Sequence, residues 1–286
     1  MNRREFIYGV SGLTATAALG GCRAIGLGGP KIKLAMAGYT LHSFKTDEAW
    51  AFCEKHGFRY LCVKSFHLPF ESTSSEIAEF KRKCADHGVT PYGVGPIEMV
   101  KPEEARRFFD YAAALGVKTL VGVPGEVGPD GKTRSCRKMC EAVSALASEY
   151  DIRFAIHNHG RNPKTGNPRL YPAVPETFEM IKDLDRRVGF CVDWAYTYAD
   201  GLDCADVAHR YRDRIFDGHV RCISDKGNGS SGVNPSRRVF DYDAIFAALK
   251  EIGYDGCLGL ELANAFPDNV PWIDESRAYF EALIAR

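Results

Sequence analysis

Val188-Gly189-Phe190-Cys191-Val192-Asp193, a short helical stretch near Asp203–Tyr211, and Arg214-Ile215-Phe216-Asp217-Gly218-His219 make one strand–helix–strand unit, and its reading decides the fold. Two short apolar runs flank an amphipathic one, and each apolar run closes on an ionisable residue. Working outward, the same alternation recurs eight times along the chain. Strands are predicted at Lys33–Tyr39, Tyr60–Lys64, Thr90–Val94, Thr119–Val123, Arg153–His157, Val188–Asp193, Arg214–His219 and Cys257–Glu261. Helices are predicted from Thr46 to His56, from Ser74 or Ser75 with Glu76 in the first turn, and after Pro102, which suits a first-turn position. Others run from about Ser135 to Tyr150, Val174 to Asp183, Asp241 to Ile252 and Asp274 to Ala285. His56-Gly57, His87-Gly88, Leu115-Gly116 and Ile252-Gly253 place glycine where a left-handed helix stop is wanted. This rhythm predicts an α/β protein, a single-domain (β/α)8 TIM barrel over residues 33–286. An open doubly wound sheet calls for a Gly-rich turn after its first strand, and Ala37-Gly38-Tyr39-Thr40-Leu41-His42 has no GxGxxG.

The 286 residues have an ordinary globular composition, 45% hydrophobic and 26% charged, so disorder is not indicated. Lys plus Arg balances Asp plus Glu at 37 each, which supplies no general field for nucleic acid or an anionic membrane. A homo-oligomer is compatible with this composition. Residues 1–22 resemble a twin-arginine export signal: Arg3-Arg4-Glu5-Phe6-Ile7, then an uncharged run to Gly21 too short and too weakly apolar to span a bilayer. Leu19-Gly20-Gly21-Cys22 resembles a lipobox, and residues 23–32 read as a flexible linker. The expectation is an exported protein on the periplasmic side, lipid-anchored at Cys22, touching the membrane only there. Ten cysteines invite a disulfide reading, but Cys62, Cys191 and Cys257 sit inside apolar runs, where a free thiol behaves as a small hydrophobe. Free thiols are predicted.

In a barrel the C-terminal ends of the strands share one mouth, where catalytic groups sit. Strand two ends in Lys64, with His67 three residues on; strands three and four lead to Glu98 and Glu126. The next four end in His157-Asn158-His159, Asp193, His219 and Glu261. One strand-end His or Asp is ordinarily a structural residue; four consecutive ends with these side chains predict a metal. His157, Asp193, His219 and Glu261 are a mixed N/O donor set that suits Mn, Zn, Co or Fe better than Ca.

The runs Ala155-Ile156-His157-Asn158-His159, Gly189-Phe190-Cys191-Val192-Asp193, Phe216-Asp217-Gly218-His219-Val220 and Gly259-Leu260-Glu261 resemble the xylose isomerase-like TIM-barrel superfamily, often labelled sugar phosphate isomerase/epimerase. The likeness covers essentially all of Lys33–Arg286. It implies a divalent metal held by a Glu, Asp, His and Glu from strands five to eight. The last three map onto Asp193, His219 and Glu261, whereas the usual Glu-Asn-His is His157-Asn158-His159. Tyr196 stands where an Asp-x-x-His pattern would put His, and Arg221-Cys222 where Lys-Asp is common.

The resemblance implies proton abstraction α to a carbonyl, with an enediolate stabilised on the metal. The loss of one glutamate leaves Glu261 as base in place of an opposed pair. Lys64, His159 and Glu126 are further acid/base candidates; Tyr39, His67, Glu98, Trp194, Tyr196 and Arg221 are candidates for substrate contact. Lys64 has an alternative reading as a salt bridge to Glu98 or Glu126. Outside the cytoplasm the expected substrate is a non-phosphorylated sugar or keto-glycoside. Two alternatives stand beside the isomerase/epimerase: a 3-keto-glycoside lyase using the same enediolate, and a non-catalytic carbohydrate-binding lipoprotein. A three-metal phosphodiesterase on this barrel would need many more His and Glu ligands and a basic face; eight histidines and zero net charge fit it poorly.

Overall fold

A computed structural model describes residues 32–160, 170–171, 173–226, 232–262 and 270–286. The twin-arginine segment, Cys22 and the linker up to residue 31 lie outside the described residues. Eight parallel strands close into a barrel: β1 (Lys33–Ala37), β2 (Tyr60–Val63), β3 (Thr90–Met99), β4 (Thr119–Val127), β6 (Arg153–His157), β7 (Val188–Asp193), β8 (Ile215–Val220) and β9 (Cys257–Leu260), with β9 pairing back onto β1. A ninth, β5 (Thr133–Ser135), runs antiparallel to the outer end of β4. The eightfold count is thereby extended by one strand. Its cause is Pro129-Asp130-Gly131, a turn sequence that folds β4 back on itself above the rim, with Gly128 N donating to Lys132 O at 2.8 Å.

Helices α1 (Thr46–Lys55), α2 (Ser74–Asp86), α3 (Pro102–Leu115), α4 (Arg137–Tyr150), α5 (Val174–Ile181), α7 (Cys204–Arg210), α8 (Asp243–Glu251) and α9 (Val270–Ala285) cover the strands. A short α6 (Trp194–Ala199), not foreseen, follows β7 with no intervening loop. Thr73 and Glu76 start α2 by exchanging backbone bonds in a capping box. Pro102 is the first residue of α3, whose Ala105, Phe108, Phe109, Ala112 and Leu115 bury one stripe. Gly57, Gly88, Gly116 and Gly253 all take positive φ, and Gly116 at 82° gives α3 its left-handed stop. No helix among the described residues is long and apolar enough to cross a membrane.

Inside the barrel Cys62, Val121, Ala155 and Cys191 meet beneath the mouth, with Tyr92 and Phe216 packed on them. The nine described cysteines are all free and buried. Strand register decides what lies above that plug. Asp193 pairs with His219 and His219 with Gly259, while His157 pairs with Cys191, two residues short of Asp193.

Candidate active site

Four donor groups converge where β6 to β9 end: one ligand atom from each of His157, Asp193, His219 and Glu261 lies within 4.8 Å of all the others. His157 Nε2 is 3.0 Å from His219 Nδ1 and 3.8 Å from Asp193 Oδ2, and His219 Nδ1 is 3.3 Å from Glu261 Oε2. Donors sharing one ion at 2.0–2.2 Å stand roughly 3–3.5 Å apart, so these separations suit a single small cation. His157, Asp193 and His219 are buried, and Glu261 is half-buried. The donor set therefore fits a divalent metal.

Local bonds aim each donor. Asp193 caps α6, its Oδ1 accepting from Tyr196 N at 2.9 Å, which turns Oδ2 toward the cluster. Asn158 holds the Asp193 backbone, its Oδ1 accepting from Asp193 N at 2.8 Å. Its Nδ2 donates to Thr197 Oγ1 at 3.3 Å, and that hydroxyl donates to Asp193 O at 2.8 Å. Thr40, in a 3-10 turn after β1, brackets Glu261: its hydroxyl donates to Leu260 O and accepts from Leu262 N, both at 2.9 Å. Asn158, Thr40 and Thr197 were not among the expected site residues. Asn158 carried a signal, a buried amide between two histidines at a strand end; Thr40 and Thr197 carried none.

Arg221 joins the cluster from the end of β8. Its Nη1 donates to Asp193 Oδ2 at 2.7 Å and Glu261 Oε2 at 3.0 Å, and its guanidinium carbon lies 4.6 Å from the centre of the Tyr196 ring. Tyr242 steadies its backbone, donating to Arg221 O at 3.0 Å. Burial opposes ionisation of Glu261, but His219 and Arg221 outweigh it and hold the carboxyl well below its usual range. Burial raises Asp193, with Arg221 pulling against it. Burial keeps His157 neutral, reinforced by neighbouring His219. A neutral imidazole is the form that binds metal.

Above the cluster opens a cavity of about 560 Å³, within the range of small-molecule sites. Tyr39, Lys64, Glu98, His157, His159, Tyr196, Arg221 and Glu261 line it, with Pro96, Val123 and Leu170 as an apolar wall. Lys64 Nζ donates to Pro96 O at 2.7 Å, in place of the anticipated salt bridge to Glu98 or Glu126. Burial lowers the Lys64 pKa.

Three expected residues lie elsewhere. His67 points away from the cavity, beneath α1, with Nε2 3.3 Å from Leu41 O, and burial lowers its pKa to about 4. The three residues between β2 and His67 let the chain turn before His67 is placed. Trp194 is fully buried under α6, where an added Cβ on Gly218 would lie 2.9 Å from its indole nitrogen. Asp193 caps α6, and Trp194, the first residue of that helix, packs against Gly218. Glu126 is carried above the rim by the β4–β5 hairpin, exposed, with Cys136 Sγ donating to its Oε2 at 3.4 Å.

Residues 50–283 match a family model described as the xylose isomerase-like TIM barrel. Inosose isomerase of Bacillus velezensis is 21% identical over 243 residues, covering 78% of this chain and 85% of its own. The zinc-bound IOLI protein superposes with a TM-score of 0.69 at 19% identity, covering 89% of this chain and 98% of its own. The 3-keto-D-glucoside 4-epimerase of E. coli superposes with a TM-score of 0.68 at 16% identity, covering 88% and 100%.

Proposed function

Because the chain belongs to the xylose isomerase-like TIM-barrel family, we propose that it is a divalent-metal-dependent carbohydrate enzyme of the isomerase/epimerase class. The observation that carries this is the four-donor cluster, with ligand atoms within 4.8 Å of one another beneath a cavity lined by Lys64 and Glu261. The inosose isomerase and keto-glucoside epimerase similarities support the carbohydrate assignment. His157, Asp193, His219 and Glu261 would hold the metal, which when bound supplies Lewis-acid polarisation of a carbonyl or vicinal oxygens.

The chain's own residues do the rest. Glu261, ionised and open to the cavity, removes the proton α to the carbonyl. Lys64, with its ammonium fixed by Pro96 O, faces the negative charge that develops on the substrate oxygen or returns a proton to it. His159 is a second proton carrier on the same wall, while Tyr39 and Tyr196 offer aromatic faces to a sugar ring. A non-phosphorylated sugar or keto-glycoside suits this cavity. The export proposed below would put the protein outside the cytoplasm, where sugar phosphates are scarce. Export and lipid attachment at Cys22 belong to the same proposal, and intact-mass measurement of the mature N-terminus tests them.

One observation favours a second reading, a 3-keto-glycoside lyase. His157 stands where the resemblance implies a second glutamate, so the opposed base that epimerisation uses is missing. Elimination needs one base and one acid, and Glu261 and Lys64 supply both. The test is metal analysis of purified protein followed by incubation with ketoses and 3-keto-glycosides in D2O. Deuterium entering α to the carbonyl supports the class, and release of the aglycone selects the lyase. Protein that binds no metal and exchanges no proton would sink both.

A further inference from the structure

Arg221 claims the carboxylate oxygens that a metal would need. A single nitrogen, Nη1, reaches Asp193 Oδ2 at 2.7 Å and Glu261 Oε2 at 3.0 Å. These same oxygens face the two imidazoles, at 3.8 Å from His157 and 3.3 Å from His219. The other oxygen of Asp193, Oδ1, caps α6 at Tyr196 N, so Oδ2 is the one that faces His157. A divalent ion has to approach both oxygens to about 2.0–2.2 Å. It would then stand beside a buried guanidinium with little water between them, where like charges repel strongly. Arginine cannot lose its proton to relieve that repulsion. Arg221 borders the cavity, and its guanidinium carbon lies 4.6 Å from the centre of the Tyr196 ring, a face along which the group can shift.

We propose that Arg221 is a built-in competitor for the metal. It neutralises Asp193 and Glu261 while the ion is absent. Metal loading moves its guanidinium off the carboxylates, along the Tyr196 face and toward the cavity, where it can meet a substrate oxygen. Loading the metal and completing the substrate pocket are then one event. This inference rests on the metal-dependent reading above, and its test separates the two.

The test is affinity for Zn²⁺ and for Mn²⁺, measured on the full chain by competition with a chromophoric chelator, together with the melting temperature of the metal-free protein. Arg221→Met takes the guanidinium from beside the two carboxylates, so it is expected to bind metal at least about tenfold more tightly and to melt lower when metal-free. Arg221→Lys keeps a charge and is expected to stay near wild type. Tyr196→Leu removes the face that receives the guanidinium and is expected to weaken binding severalfold; it serves should Arg221→Met not fold. Equal or weaker affinity in Arg221→Met, or unchanged affinity in Tyr196→Leu, overturns the competition while leaving the metal reading intact. No binding by wild type or by Arg221→Met overturns the metal reading and this inference with it.

Discussion

The half of the barrel mouth built on β6 to β9 differs from the half built on β1 to β4 in how it holds its ionisable groups. In the first, His157, Asp193 and His219 are strand residues and Glu261 lies one position beyond a strand, so parallel register sets their heights. His157, Asp193 and His219 are buried and Glu261 half-buried, and the four contact one another and Arg221. In the second half, Tyr39 and Glu98 are exposed, and Lys64 is half-buried and tied to a backbone carbonyl. A dense, pre-paired cluster suits an ion that must be held in fixed geometry. A looser, wetter wall suits a substrate that must enter and leave. Under the proposed function, the first half would hold the metal and the second would receive the sugar.

The largest effect that can break this division is expected for Asp193→Ala. Bound metal should fall below about a tenth of the wild-type level, since loss of even an outer-shell partner costs roughly 10–100-fold in affinity. Turnover should fall about 10³-fold, equivalent to about 4 kcal/mol of lost transition-state stabilisation. Metal analysis and steady-state kinetics on the same sample check both. Across the mouth, Lys64→Met should leave metal content at the wild-type level and reduce kcat by about 10²-fold, the scale of a lost acid/base group. If Lys64→Met strips the metal, or Asp193→Ala keeps it, the two halves do not divide the work this way.

The same contrast explains how much could be read without coordinates. The predicted bounds of β6 and β7 coincide with the observed ones, and the metal candidates are the residues at or just past strand ends. Period-two alternation and closure of the barrel leave such a residue one direction to point. Beyond a strand that constraint ends. Glu126 depends on a hairpin that lifts it above the rim, and Trp194 on a helix that begins immediately after Asp193. Thr40 brackets Glu261 from 222 positions away from Leu262, a contact that no local pattern announces. Arg221 was marked as a departure from the family's Lys-Asp, but its grip on both carboxylates follows from the closeness of the β7, β8 and β9 ends in space. Chain order does not display that closeness.

His67 gives the smallest expected effect on activity and the sharpest check on the loop-borne half. It sits three residues past Lys64, yet it is buried beneath α1 with its Nε2 against Leu41 O. His67→Gln keeps a donor at that carbonyl, so turnover near neutral pH should stay within about twofold of wild type. Stability should respond instead. Burial lowers the His67 pKa from 6.5 to about 4, so the folded protein resists a proton that the unfolded chain accepts. A depressed folded pKa gives a contribution present above pH 6.5 and lost as pH falls through about 4. Two and a half units correspond to about 3 kcal/mol. Denaturant unfolding at neutral pH and at two points inside that window should show wild type losing stability more steeply than His67→Gln. Parallel pH dependence in the two proteins would assign the acid sensitivity to another group. A collapse of turnover in His67→Gln at unchanged stability would instead return this histidine to the site.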